Sequence, residues 1–141
     1  MCIRDRVKGV QTVAAAQWVL EAGADGVVLS NHGGRQLDRS EAPLRLLPAV
    51  RASVGADPEL YVDGGVACGA DIAAAIALGA TGVFVGRAYL YGLMAGGAPG
   101  VTRAIDILRT DLARTLRLLG VREIASLTGE HASLPSTNRS N

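Results

Sequence analysis

Ser30-Asn31-His32-Gly33-Gly34-Arg35-Gln36-Leu37-Asp38 decides the reading of this chain. It follows Gly26-Val27-Val28-Leu29, a short apolar run opened by glycine that reads as a buried strand. The strand ends where the polar residues begin. His32 and Arg35 are therefore delivered at its C-terminal tip, on a loop loosened by two glycines. Imidazole exchanges a proton near neutral pH. Guanidinium presents a planar fork that grips a carboxylate through two hydrogen bonds. A base and a carboxylate clamp so close together suit an acid substrate that must lose a proton. Taken singly, His32 reads as a turn residue and Arg35 as a solvated one, because short motifs match by chance. The whole stretch at a strand tip carries the chemical reading.

Outward from this loop the chain alternates between strands and helices. Arg6-Val7-Lys8-Gly9-Val10 reads as a strand, and Gln11 to Ala22 as a helix with Val13, Ala16, Val19 and Leu20 on one face. Thr12 suits the N-cap and Gly23 the stop. Trp18 is assigned to packing. Beyond the loop, Pro43 opens a helix that runs through Leu47 and Arg51. Leu60 to Asp63 is the next strand, residues 70–78 a short alanine-rich helix, and Gly82 to Val85 the fourth strand. Val27-Val28-Leu29 and Val83-Phe84-Val85 both have the character of strands covered on two faces. Helices over 89–95 and 101–119 flank a hinge at Gly96-Gly97-Ala98-Pro99-Gly100. The second carries the stripe Ile105, Leu108, Leu112, Leu116 and Leu119. A short helix is expected near 121–127, and the end of the chain is polar.

The chain also echoes itself. Gly23-Ala24-Asp25-Gly26-Val27 resembles Gly79-Ala80-Thr81-Gly82-Val83, and the same offset separates Gly9-Val10 from Gly65-Val66. Each unit reads strand, helix, strand, which implies parallel pairing. A dinucleotide-binding sheet is the usual alternative, but no Gly-x-Gly-x-x-Gly followed by a ribose-binding acid is present. Four such units make half of an eight-stranded (β/α)8 TIM barrel, so the fold class is α/β with only the last four units present.

Composition narrows the partners. The 141 residues carry a net charge of +1, so no nucleic-acid or membrane-surface field is expected. Cys2 and Cys68 have no metal-binding spacing and fit a reducing compartment. No apolar run reaches the length that spans a bilayer. Residues 1–6 read as a non-native leader, 7–128 as the barrel segment and 129–141 as a polar tail.

Barrel enzymes work at the C-terminal face, with phosphate held after the last two strands. Here those tips are Asp63-Gly64-Gly65-Val66 and Gly86-Arg87. Glycines let backbone N–H groups approach a phosphate, the next helix adds a favourable dipole, and Arg87 adds charge. Several phosphate-binding barrels end this way, so the pair points to a phosphate and not to one cofactor. Lys8 alone would be a surface lysine, and Asp38 orients Arg35 or caps the next helix. Cys68 is assigned no chemistry, His131 no role, and Tyr89 and Tyr91 helix packing.

The Ser30–Asp38 stretch, with the Lys8-Gly9, Asp63-Gly64-Gly65 and Gly86-Arg87 tips, resembles the active-site pattern of the FMN-dependent α-hydroxy-acid oxidases and dehydrogenases. That family includes glycolate oxidase and flavin L-lactate dehydrogenase. The similarity runs from Val7 to about Thr128. It implies FMN as cofactor and oxidation of an L-2-hydroxy acid, lactate- or glycolate-like, to the 2-oxo acid. It implies His32 as catalytic base, in contact with substrate, and Arg35 on the substrate carboxylate. Lys8 is implied beside the flavin N1 and C2 carbonyl, and Ser30 as a further flavin hydrogen bond. Asp63, Gly64, Gly65, Gly86 and Arg87 are implied around the ribityl chain and phosphate. Ala67 departs from the pattern, since an arginine often stands there, and this leaves the backbone amides of Val66 and Ala67 for the phosphate. The resemblance also implies an electron acceptor (oxygen, quinone or cytochrome), a homo-oligomer of the full-length protein, and a cytoplasmic location or one peripheral to the inner membrane. Two other readings stand beside it. One is a truncated, catalytically incomplete phosphate-binding half-barrel that pairs with a second copy or stays partly molten. The other is a relative of the type-2 isopentenyl diphosphate isomerases, which leaves His32 and Arg35 unexplained.

Overall fold

The computed structural model describes residues 5–37 and 39–134. The expectations placed on residues 1–4, on Asp38 and on the end of the tail lie outside the described residues. Four strands and four helices alternate: β1 (Arg6–Val10), α1 (Val13–Glu21), β2 (Gly26–Ser30), α2 (Pro43–Val54), β3 (Glu59–Asp63), α3 (Gly69–Ala77), β4 (Gly82–Phe84) and α4 (Arg87–Leu118). The sheet order is β1-β2-β3-β4 and every pair is parallel. The strand β1 takes in Arg6, which the leader reading had set with residues 1–5.

Local signals account for the element ends. Thr12 caps α1, its hydroxyl accepting from the Ala15 N–H at 3.1 Å. Pro43 stands in the first turn of α2. The glycine-rich hinge breaks α4 into two arms at Gly96 and Gly97, whose backbones leave the helical region. The arms then touch backbone to backbone at Gly92 and Gly100, where a side chain on either would collide with the other's carbonyl. Arg51 ties the far end of the sheet, donating to the carbonyls of Gly79, Gly55 and Pro58 at 2.9, 2.8 and 3.0 Å. Burial pushes its pKa down from the usual guanidinium value.

The strand pleat sorts side chains onto two faces. Val27, Leu29, Leu60 and Val62 face the helices and pack with Ala16, Val19, Leu47 and Val50 into the main core. The other face carries charge. Arg6 pairs with Glu59, which also accepts from the Tyr61 hydroxyl, and Arg6 lies over the Tyr61 ring at 5.4 Å. Glu59 holds the Arg6 guanidinium above its usual pKa. Tyr61 in turn meets Phe84 with ring centroids 5.2 Å apart.

Four expectations need correction. Trp18 is 71% exposed, because α1 turns that side chain away from both α2 and the sheet. The strand β4 is shorter than expected and Phe84 is 42% exposed, since β4 pairs on one side only, with β3. On α4, Leu112 and Leu116 pack against Ala73 and Ala77 of α3, while Ile105 remains 45% exposed beyond that contact. The stretch expected as a helix near 121–127 is a single 3-10 turn, Ile124–Ser126. Past Thr128 the chain continues to pack, with Ala132 against the α3 cluster. His131 Nδ1 accepts from the Thr128 N–H at 3.0 Å, a local cap.

Leu47 is fully buried in the main core. Leu47→Ala is expected to destabilise the chain by about 2–5 kcal/mol, and Trp18→Ala by less than about 0.5 kcal/mol. Urea unfolding followed by circular dichroism measures both; equal losses would contradict this packing.

Candidate active site

The site grows from the tips of β1, β2 and β3. Ser30, the last residue of β2, is fully buried. Its hydroxyl donates to Asp63 Oδ1 at 2.9 Å and accepts from Lys8 Nζ and the His32 N–H, each at 3.1 Å. Lys8 Nζ also pairs with Asp63 Oδ2 at 3.2 Å. One hydroxyl offers one donor and two acceptor positions, so the Ser30 side chain is saturated by the protein itself. The hydroxyl thus ties three strand tips together. The ammonium of Lys8 has three donors, and its side chain is 46% exposed toward the cleft.

Beyond Ser30 the chain turns sharply. Asn31 Oδ1 accepts from the Gly33 N–H at 3.0 Å, and its carbonyl from the Gly34 N–H at 2.9 Å. The residues His32–Gly34 form a 3-10 turn in which His32 has a φ of 53°. That left-handed conformation costs a residue with a side chain roughly 1–2 kcal/mol, and the surrounding hydrogen bonds hold it. On β1, Lys8 pairs with Val28 and Val10 with Leu29, which leaves Gly9 as an extra, bulged residue with φ 96°. On β3's far side, Gly64 at φ 93° lies so close to Asn31 that a Cβ there would meet Asn31 Oδ1 at 2.8 Å.

An open cleft of about 950 Å³ lies over these tips. Lys8, His32, Arg35, Asp63, Gly64, Gly65, Val66, Ala67, Gly86 and Arg87 all line it, and Ser30 lies beneath as the tie. The structure therefore brings together the residues that the sequence scattered over four strand tips. Arg87 reaches back toward the signature turn, its Nη2 lying 3.7 Å from the position of a Cβ on Gly33.

At the phosphate end, carboxylates already meet the first turn of α3. Asp71 Oδ2 accepts from the N–H groups of Ala67 at 2.8 Å and Cys68 at 3.0 Å, closing a capping box on α3. Asp111 Oδ2 accepts from the Gly69 N–H at 2.7 Å. The Ala67 amide is therefore engaged, and two carboxylates already meet the first turn of α3. At α4 no side chain caps the N-terminus and no acid stands in its first turn. The fit to a phosphate shifts to Arg87, that first turn, and the open approach at Gly65 and Gly86, where a Cβ would meet nothing within 4 Å. Residues that sequence reasoning passed over also line the cleft: Gln36, Phe84, Leu90 and Tyr91. Tyr91, assigned to helix packing, is 60% exposed. Among the described residues no group of three His, Cys, Asp or Glu side chains is placed to hold a metal ion. No described helix is long and apolar enough to cross a membrane.

This geometry matches known proteins over nearly its whole length. The profile of the FMN-dependent dehydrogenase family matches residues 5–134, and the chain belongs to that family. A Mycobacterium tuberculosis protein with a provisional L-lactate dehydrogenase name is 57% identical over 90% of this chain and 31% of its own length. The pre-mycofactocin synthase of Mycobacterium tuberculosis is 42% identical over 92% of this chain and 33% of its own. Among solved structures, a soluble mutant of the membrane-associated (S)-mandelate dehydrogenase from Pseudomonas putida superposes with a TM-score of 0.88. It is 41% identical over 93% of this chain and 37% of that one. The chain thus spans about a third of the length of these relatives, and its four-stranded parallel sheet is part of a (β/α)8 barrel.

In a complete barrel carrying this segment, Arg87→Ala is expected to weaken FMN roughly ten- to a hundredfold, the size of one charge-assisted contact, and to leave riboflavin unchanged. Fluorescence titration with both ligands measures this; equal weakening would mean that Arg87 does not read the phosphate.

Proposed function

We propose that this segment forms the substrate and phosphate side of an enzyme that oxidises an L-2-hydroxy acid, lactate- or glycolate-like, to the 2-oxo acid. The observation that carries the reading is the placement of His32 and Arg35 at one tip, in one cleft with Lys8 and the two glycine tips. Arg35 holds the substrate carboxylate through its planar fork. His32, one 3-10 turn away, takes a proton that the substrate loses. Oxidation of the alcohol releases two protons and an electron pair; His32 takes one proton, and bound FMN would accept the pair together with the other. Lys8 places positive charge in the same cleft, paired on its other side with Asp63, where it favours an electron-rich partner.

The pre-mycofactocin synthase relative means that family membership alone does not name the substrate. Arg35 beside His32 favours an acid. Oxygen, a quinone or a cytochrome serves as the final acceptor in this reading. The complete protein is a homo-oligomer in this reading, either cytoplasmic or peripheral to the inner membrane; the Pseudomonas putida relative is described as membrane-associated.

In the complete barrel, His32→Gln is expected to keep FMN bound and to slow flavin reduction by substrate by roughly a hundred- to ten-thousandfold. Arg35→Lys is expected mainly to raise the substrate concentration needed, since lysine lacks the fork. Anaerobic flavin bleaching measures both; an unchanged rate for His32→Gln would remove it as the base.

A further inference from the structure

We infer that Gly9 is a positioning residue for His32: the bulge in β1 turns a bare α-carbon toward the β2 loop, and the imidazole sits in the space a side chain would fill. A Cβ built on Gly9 would lie 2.9 Å from His32 Nε2 and 3.5 Å from Cε1. A Cβ at the first of these distances forces something to shift. The His32 backbone is held, its N–H fixed to the Ser30 hydroxyl and its φ of 53° set within the Asn31 turn. The part that moves is therefore the imidazole, by rotation about its side-chain bonds.

The bulge has a reason to stand here. It adds one residue between Lys8 and Val10 without changing their partners on β2. Lys8 thus stays aimed at Ser30 and Asp63, while the added residue faces the next tip. A bulge of this kind re-aims a neighbouring side chain. Gly9 touches neither substrate nor cofactor in this account; it acts through the ring it seats. The inference deepens the reading of His32 as the base, and it stands or falls separately from that reading, because its test looks at the ring and not at turnover.

The test uses the 141-residue chain, whose only histidines are His32 and His131. In the unsubstituted chain, proton NMR is expected to show a nuclear Overhauser cross-peak between the Gly9 α-protons and the His32 ring protons. Gly9→Ala is expected to shift the His32 ring resonances and leave those of His131 in place. Gly23→Ala is the matched control, because Gly23 has a similar φ of 101° with nothing within 4 Å of its Cβ position. It imposes the same backbone strain without the contact and should leave His32 unmoved. Absence of the cross-peak overturns the inference whether or not Gly9→Ala folds. So does an unmoved His32 signal in folded Gly9→Ala, or an equal shift in both variants.

Discussion

A single buried hydroxyl joins the working parts of this chain. Ser30 receives Lys8 from β1 and the His32 backbone from its own loop, and gives its proton to Asp63 on β3. Parallel strands have no direct link between their tips beyond the ladder, so tip geometry in such a sheet depends on side-chain ties of this kind. Lys8 and Asp63 close the triangle with an ion pair. The consequence is that the cation facing the cleft and the imidazole at its rim share one anchor. A buried hydroxyl with every hydrogen-bonding position filled favours one arrangement, because any alternative leaves a polar atom unpaired. Ser30→Ala would remove the bonds to Asp63 and to the His32 N–H together and leave Asp63 its ion pair with Lys8.

The same logic extends to the rest of the sheet's open face. Sequence patterning suggested that Val27-Val28-Leu29 and Val83-Phe84-Val85 are strands covered on both sides. In β2 that holds, with Val27 and Leu29 buried toward the helices and Val28 buried on the other face; in β4 Phe84 is open. Around Val28 that other face lays Arg6, Glu59 and Tyr61 in one hydrogen-bonded group and Lys8, Ser30 and Asp63 in another. Charged residues on alternate positions of β1 and β3 were visible in the sequence, but their mutual pairing depends on parallel register, which a single sequence does not state.

What the sequence made legible follows from local rules. A glycine-bounded apolar run, a threonine before a helix, a proline in a first turn and the repeated spacing of glycines each act within a few residues. The internal echo has a backbone basis: Gly9 and Gly65 have φ of 96° and 86°, and Gly23 and Gly79 of 101° and 103°. The His32–Arg35 loop was legible because both side chains sit on one short turn. The features missed are those made between distant segments. Asp71 claims the Ala67 amide through a capping box that a cysteine N-cap disguises. Gly9 looked like the end of a strand and is a bulge fitted to a loop more than twenty residues away. The Asx-turn rule, in which an Asn or Asp side chain accepts from the backbone N–H two residues on, would have found the role of Asn31. The exposure of Trp18 was open to the same helical spacing, since Trp18 falls opposite the face of Val13, Ala16, Val19 and Leu20.

The account rests on an acid substrate held by Arg35 beside His32. Its most direct test is anaerobic flavin bleaching in a complete barrel carrying this segment, comparing an L-2-hydroxy acid with its primary amide. The amide keeps the alcohol and the α-carbon and removes only the carboxylate charge. The account predicts that the acid bleaches the flavin rapidly and the amide at a rate lower by roughly tenfold or more, the loss of one charge-assisted pair. Equal bleaching by both would contradict it.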